Sequence, residues 1–492
     1  MYIGIDIGTT VLKGAVFSAA TGTLRAQAAQ RLPVTVSADG GREQDATVIT
    51  GAVRELFTQL RTEVGAEWSR VQGIGLAAQG GSTLMVERER GIPACPMYLW
   101  NDARAYPYLS RVTAAVPADF WRSFSLRDAP GMGLARILWL RERQPELLQE
   151  RYLYCGAGEF IYHQLTGAWA QDACNALQIG CYHAVEDRLT AEPLALVDAP
   201  LSLVAPLRNG HETHPLSAAA AARFGLSAGI PVAGPYNDHE GAFCASANVV
   251  KQPLQCSLGT AWVGNFVLPA EMQGGSPWQL PIPSPLGPGR LVIQPLLTGN
   301  VTWDWALATF VDPDHQQALA KQADIFAQRL LPPYGLTALP WLNMPNPFAE
   351  GINGAGCLLG LSPATDRDDL LRAIAAGMVY ELRRIFAEVI DRRAVEAVLL
   401  SGGASRGLQF QQQILSLFAP LPVLQVTEED WLGARGSLYP FNTPACHAEV
   451  RELALSPTTD TTAIQRAYSL YNELFARSYG HLPAGQAFRI DG

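Results

Sequence analysis

Lysine is nearly missing from this chain. Of 36 basic side chains in 492 residues, only Lys13, Lys251 and Lys321 are lysines. There is no basic run, and the formal net charge is −9. That balance argues against nucleic acid or an anionic membrane surface as partner. The eight cysteines are scattered, with no CxxC pair and no histidine at zinc-ligand spacing, so they read as buried free thiols. The richest apolar run, 194–207, is broken by Asp198, Pro200 and Pro206 and cannot span a bilayer. Asp6 interrupts the apolar opening and no basic leader precedes it, which argues against a signal peptide. No GxxxxGK followed by Ser or Thr occurs, and Gly73-Ile74-Gly75 lacks dinucleotide-binding spacing. A cytoplasmic, soluble protein is expected.

The composition is that of a well-buried chain, 48% hydrophobic and 16% charged, and its length calls for two large domains. Residues 3–7 alternate Ile-Gly-Ile-Asp-Ile and end in Gly8-Thr9-Thr10; 12–17 return as a second strand. A helical pattern over 48–64 leads to a strand at 71–76 that ends in Gln79-Gly80-Gly81. The same order recurs later. A strand at 254–258 meets Gly259-Thr260 and returns through 262–267, and a long helix over 369–392 precedes a strand at 395–400 and then Gly402-Gly403-Ala404. This predicts a duplicated α/β unit, divided near 246 into domains 1–246 and 247–492, with a ligand cleft between them. Helical insertions are expected at 134–143 and 159–165, and the Pro- and Gly-dense stretch 274–289 reads as an irregular loop.

Four clusters carry candidate chemistry. A Gly-Thr turn offers backbone N–H groups and a hydroxyl to a phosphate, and two facing turns would grip a nucleotide from both sides. Asp6, in mid-strand, needs a partner to offset its desolvation, either Lys13 or a metal ion. Trp100-Asn101-Asp102-Ala103-Arg104 combines a stacking face with groups that bind vicinal hydroxyls; an exposed loop with a local Asp–Arg pair is the plainer reading. Pro235-Tyr236-Asn237-Asp238-His239-Glu240 directly follows an apolar strand at 230–234, where α/β proteins place catalytic groups. Asp238 can also cap a helix over 241–248.

These segments resemble the FGGY carbohydrate kinases of the actin/Hsp70/hexokinase superfamily, and xylulokinases in particular. The likeness rests on residues 2–10 with Lys13, Leu99-Trp100-Asn101-Asp102-Ala103-Arg104, Val232-Ala233-Gly234 followed by an acid, Ser257-Leu258-Gly259-Thr260 and 400–406, in the family's order from residue 2 to about 440. It implies two duplicated RNase H-like (actin-like ATPase) domains flanking a central cleft. It also implies ATP and Mg²⁺, with Asp6 at the metal and Asp238 as general base toward a terminal sugar hydroxyl. Gly8, Thr9, Thr10, Lys13, Gly259, Thr260, Gly299, Gly402, Gly403 and Ala404 would bind the nucleotide. Gln79, Gly80, Gly81, Trp100, Asn101 and Asp102 would bind the sugar, most simply a pentulose. Relatives of this kind are commonly dimers, although no residue pattern here marks an interface.

The chain departs from xylulokinases in two places. Gln79-Gly80-Gly81 stands where they have Met-His-Gly after the glutamine, and the segment 234–238 is one residue longer. Glycerol kinases carry Arg-Glu where Gly80-Gly81 stands, which argues against glycerol. These altered loops also leave open a non-catalytic ATP-gated switch or a sugar-sensing pseudokinase.

Overall fold

The computed structural model describes residues 1–127, 129–269, 279–296, 298–333, 335–342, 356–391 and 394–479. The first mixed sheet runs in the order Thr213–Pro215, Pro231–Asn237, Gly73–Ala78, Tyr2–Ile7, Val11–Phe17, Leu24–Arg31. The second runs Val450–Glu452, Val423–Val426, Ala397–Ser401, Pro253–Leu258, Trp262–Leu268, Arg290–Pro295, with Leu280–Pro283 added at the far edge. In each, three antiparallel strands continue into two parallel ones and an antiparallel edge. The duplication expected from element order is therefore a duplication of sheet topology. The protein is α/β with two mixed-sheet domains.

Alternation explains the opening strand. Ile3, Ile5 and Ile7 are fully buried against helix Ala46–Val64, whose Ile49, Val53, Leu56 and Leu60 form its inner face. Asp45 caps that helix by accepting from Thr47 N at 2.8 Å. Gly14 has no Cβ because Leu56 occupies the space above it.

Three expectations need correction. The 274–289 stretch contains a strand, Leu280–Pro283, paired antiparallel with Arg290–Pro295; prolines 281 and 283 are tolerated because it is an edge strand. Residues 274–278 of that stretch lie outside the described residues. The long helix runs Arg367–Ile385 and breaks at Phe386, whose ring takes the space above Gly264 of the sheet, before resuming over Ala387–Asp391; Arg392 lies outside the described residues. Asn237, rather than Asp238, caps the helix Asp238–Ala247, its Oδ1 accepting from His239 N at 3.0 Å. The strand runs past the expected 230–234 to Asn237, and the helix starts directly after it, so Asp238 is its first residue and not the cap of a helix beginning at 241.

A five-stranded sheet, Thr35–Val36, Arg42–Gln44, Met97–Tyr98, Thr83–Glu87, Tyr152–Gly156, had no counterpart in the sequence pattern. The two halves also interleave. The short helix Leu432–Gly436 packs on helix Asp238–Ala247 and on strands of the first sheet. A Cβ on Gly436 would overlap the Gly241 carbonyl, and one on Gly4 would stand 2.7 Å from the Ala434 carbonyl carbon.

Gly436→Ala should therefore cost at least about 3 kcal/mol or prevent folding. Gly51→Ala, in helix Ala46–Val64 with nothing within 4 Å of the new methyl, should stabilise by roughly 0.5–1 kcal/mol. Denaturant unfolding of both checks the pair; equal effects would contradict this packing account.

Candidate active site

The first wall of the cleft is built on the opening hairpin. Asp6 faces Lys13 across the register of Tyr2–Ile7 and Val11–Phe17, and Gly8 N closes the turn on Val11 O at 3.1 Å. Asp6 Oδ1 is buried without a hydrogen-bond partner. Burial first, then the charge of Asp238, push the Asp6 pKa up to about 7 against the pull of Lys13. A Cβ on Gly433 would stand 2.6 Å from Asp6 Oδ2, so only glycine lets the 432–436 helix lie against this carboxylate. Lys13 Nζ meets Asp430 at 2.7 Å in a pair open to solvent, an exchangeable contact.

Asp238 reaches the same cleft from the end of strand Pro231–Asn237. That strand pairs with Gly73–Ala78 as Ala233↔Gly75 and then Tyr236↔Ala77, so three steps on one side match two on the other. The strand therefore carries a bulge between Ala233 and Tyr236, within the 234–238 segment. Glu240 turns away, accepting from buried Arg208 at 2.9 Å.

The second wall belongs to the other sheet. Gly402 has φ +85°, and a Cβ there would stand 2.6 Å from the Leu258 carbonyl carbon; Gly402-Gly403 thus forms a bare backbone ledge. Gly259 and Thr260 sit on the N-terminus of helix Asn300–Phe310, with Asn300 N donating to Gly259 O at 3.1 Å. Gly299 is the cap of that helix, pressed against the Thr260 carbonyl. Ala404 is buried in the turn beyond.

Between the walls lies a cavity of about 280 Å³ whose lining brings together Asp6, Lys13, Asp238, His239, Gly402 and Gly403. Gly8, Thr9, Thr10, Gly259, Thr260, Gly299 and Ala404 do not line it. A buried amide chain crosses behind it: His239 Nδ1 contacts Asn265 Nδ2 at 3.4 Å, Asn265 donates to Gln255 Oε1, and Gln255 Nε2 donates to Ser401 Oγ at 2.9 Å. This chain links the residue after Asp238 to the residue before Gly402, and sequence reasoning missed it.

The expected sugar residues gather around the hairpin turn. Gln79 Oε1 accepts from Thr9 Oγ1 at 2.9 Å and from Ser82 Oγ at 3.0 Å, and Trp100 Nε1 donates to Thr9 Oγ1 at 3.2 Å. Trp100 is 47% exposed, leaving its ring face open. Asn101 Oδ1 is buried and unpartnered. Asp102 differs from the expectation of an open sugar ligand. Its carboxylate accepts from Arg42 N, Arg104 N and the Arg104 guanidinium at 2.6–3.1 Å, so it holds the loop in shape. Burial raises its pKa, but these donors keep it below the usual carboxylate range.

Arg136, 1% exposed, ties the segments at 81–83 and 99 together by donating to Gly81 O, Leu99 O and Thr83 Oγ1. Asn175 Oδ1 accepts from Gly81 N at 3.2 Å while its Nδ2 donates to buried Glu159 at 2.9 Å. Neither residue stood out in the sequence. The one signal present was Gly80-Gly81 itself, since two bare positions in a binding loop imply that something else fills the space.

Two equivalent lobes, carboxylates on one wall and a glycine ledge on the other, define a class of two-lobed α/β enzymes working across a cleft. Residues 1–244 match the N-terminal domain of the FGGY family of carbohydrate kinases. A glycerol kinase of Deinococcus radiodurans is 25% identical over 88% of this chain and 87% of its own. A xylulose kinase of Bacillus subtilis is 23% identical over 84% and 83%. Among solved structures, the xylulose kinase of Rhodospirillum rubrum superposes with TM-score 0.82 at 20% identity, over 96% of this chain and 98% of that one. Plasmodium falciparum glycerol kinase with ADP gives TM-score 0.80 at 13% identity, over 97% and 98%. The chain belongs to the FGGY family of carbohydrate kinases. No helix among the described residues is long and apolar enough to cross a membrane.

Because Asp6 is held beside a second carboxylate with one oxygen unpaired, Asp6→Asn should stabilise the ligand-free protein at pH 8 by about 1–3 kcal/mol. Thermal unfolding without nucleotide checks this. A lower midpoint would mean that the Asp6 charge is already well satisfied.

Proposed function

We propose that the protein transfers the γ-phosphoryl group of ATP to a terminal hydroxyl of a small sugar, a pentulose being the first candidate. The observation that carries this reading is the shared cavity in which Asp238 and Asp6 of one wall face Gly402-Gly403 of the other. We assign the sugar and the base to residues 1–246 and the nucleotide to 247–492. Asp238 accepts the proton of the attacking hydroxyl; a carboxylate is basic enough because the proton leaves as the new P–O bond forms. Its place in the first turn of helix Asp238–Ala247 keeps it rigid.

The residues fit a divalent cation. Mg²⁺ takes oxygen donors, commonly one or two carboxylates plus substrate phosphates, and Asp6 offers a buried oxygen that nothing in the protein satisfies. When bound it would neutralise phosphate charge. Lys13 supplies a protein cation on the same wall once its solvent-open pair with Asp430 exchanges. Gly402-Gly403 leaves room for a flat group to lie on backbone, which supports adenosine there. The ADP held by the Plasmodium falciparum glycerol kinase supports a nucleotide for this chain as well.

An ADP-release assay over ketoses, polyols and aldonates should show stimulation by at least one sugar, and Asp238→Asn should lower that turnover at least about 10³-fold. Nucleotide affinity, read by fluorescence titration, should change little in that variant. Near-normal turnover in Asp238→Asn would move the base elsewhere, and no stimulation by any sugar would favour an ATP-gated switch.

A further inference from the structure

The 79–81 loop carries no side chain beyond Gln79. The structure shows what takes that space. A Cβ on Gly80 would run into Gln178 Nε2 and would stand 2.5 Å from Asn237 Nδ2; a Cβ on Gly81 would run into Gln178 Oε1. The carboxamide of Gln178 thus lies across both glycines, its two ends over successive residues.

Gln178 arrives from the last turn of helix Ala173–Ile179, which Asp172 caps at its start and Gly180 closes. Its backbone is fixed, since its carbonyl fills the space beside Gly131. The carboxamide is not fixed in the same way. Among the described residues its one hydrogen bond is from Nε2 to Cys174 Sγ at 3.4 Å, a weak acceptor. The residue is half-buried, so the amide is neither spent internally nor lost to bulk water.

Its neighbours point toward the reacting end of the cleft. Asn237 directly precedes Asp238, and its Oδ1 is occupied by His239 N, which leaves Nδ2 on the Gly80 side. Trp100 Cβ lies 3.4 Å from where a Gly81 Cβ would be. Asn175 and Arg136 hold Gly81 through its N–H and its carbonyl. A wall of amides with one aromatic face is therefore assembled around two bare backbone positions.

We propose that Gln178 is a specificity-determining residue for the acceptor, contacting a secondary hydroxyl or the keto oxygen of a polyhydroxylated substrate whose terminal hydroxyl faces Asp238. The inference rests on the carbohydrate kinase reading above. A carboxamide donates at one end and accepts at the other, so it matches hydroxyl and carbonyl groups alike. The absence of side chains at 80 and 81 is then the condition for this contact, because any Cβ there would displace the amide. Selectivity in this chain comes from the 172–180 segment instead of the 79–81 loop.

The test is steady-state kinetics of Gln178→Ala and of the volume-matched Gln178→Met on the best sugar of the panel, its epimers and its monodeoxy analogues. Both variants should raise the sugar KM about tenfold or more while kcat and the ATP KM change little. The discrimination between epimers at one carbon should shrink by a similar factor. The analogue lacking that one hydroxyl should be used equally well by wild type and variants. Unchanged sugar KM and unchanged epimer ratios would overturn the proposal. So would a uniform fall in kcat/KM for every sugar with a lowered melting temperature in both variants, which is the signature of a structural role. If wild type uses no sugar, the functional reading itself fails, an outcome separate from an active wild type whose variants are indifferent.

Discussion

The cleft exists because two helices touch without side chains between them. Helix Asp238–Ala247 and helix Leu432–Gly436 meet at Gly241 and Gly436, and Gly433 of the second lies against Asp6. This one contact brings the helix that starts at Asp238, the Asp6 carboxylate and a segment of the second half within a single layer. On the far side Gly4 and Gly75 admit Ala434 and Ser437 to the first sheet at backbone distance. A larger side chain at any of these points would push the walls apart. Since interiors are close-packed, the displacement would be passed to the cleft rather than absorbed.

Electrostatics and packing pull in opposite directions at that contact. Asp6 and Asp238 oppose each other through space, with burial adding to the cost, and the ledge opposite them is uncharged backbone. Such an arrangement is unfavourable in isolation and becomes favourable when a ligand brings positive charge and hydrogen-bond acceptors to opposite sides. Behind it, the His239–Asn265–Gln255–Ser401 chain ties the two walls with neutral amides, which transmit position without adding charge.

Much of this was written locally in the chain. Ile3, Ile5 and Ile7 alternate around Asp6, both Gly-Thr turns follow their strands, and the order strand–turn–strand–helix–strand occurs twice; periodicity and turn chemistry were enough to read them. The five-stranded sheet was illegible because strands such as Thr35–Val36 and Met97–Tyr98 are two residues long, too short for any period to show. Arg136, Asn175 and Gln178 were silent for another reason. Their meaning lies in contacts with Gly81, Leu99 and Gly80, distant in sequence, and an arginine or amide on a helix carries no local mark of them. Asp102 was legible both ways, as a hydroxyl ligand and as one half of a local pair with Arg104, and the pair with Arg104 is the one the structure forms. The strand runs past its apolar stretch to Asn237 and the helix starts with no linker, so the cap falls on Asn237, one residue before Asp238.

Strands have a parity. Successive side chains alternate between two faces, so a single inserted residue in the strand before Asp238 would ordinarily present the acid to the opposite side. The bulge between Ala233 and Tyr236 takes up one residue of this kind and restores the phase. The bulge thus sets the face by which the chain leaves the strand, and with it the side on which the helix beginning at Asp238 starts.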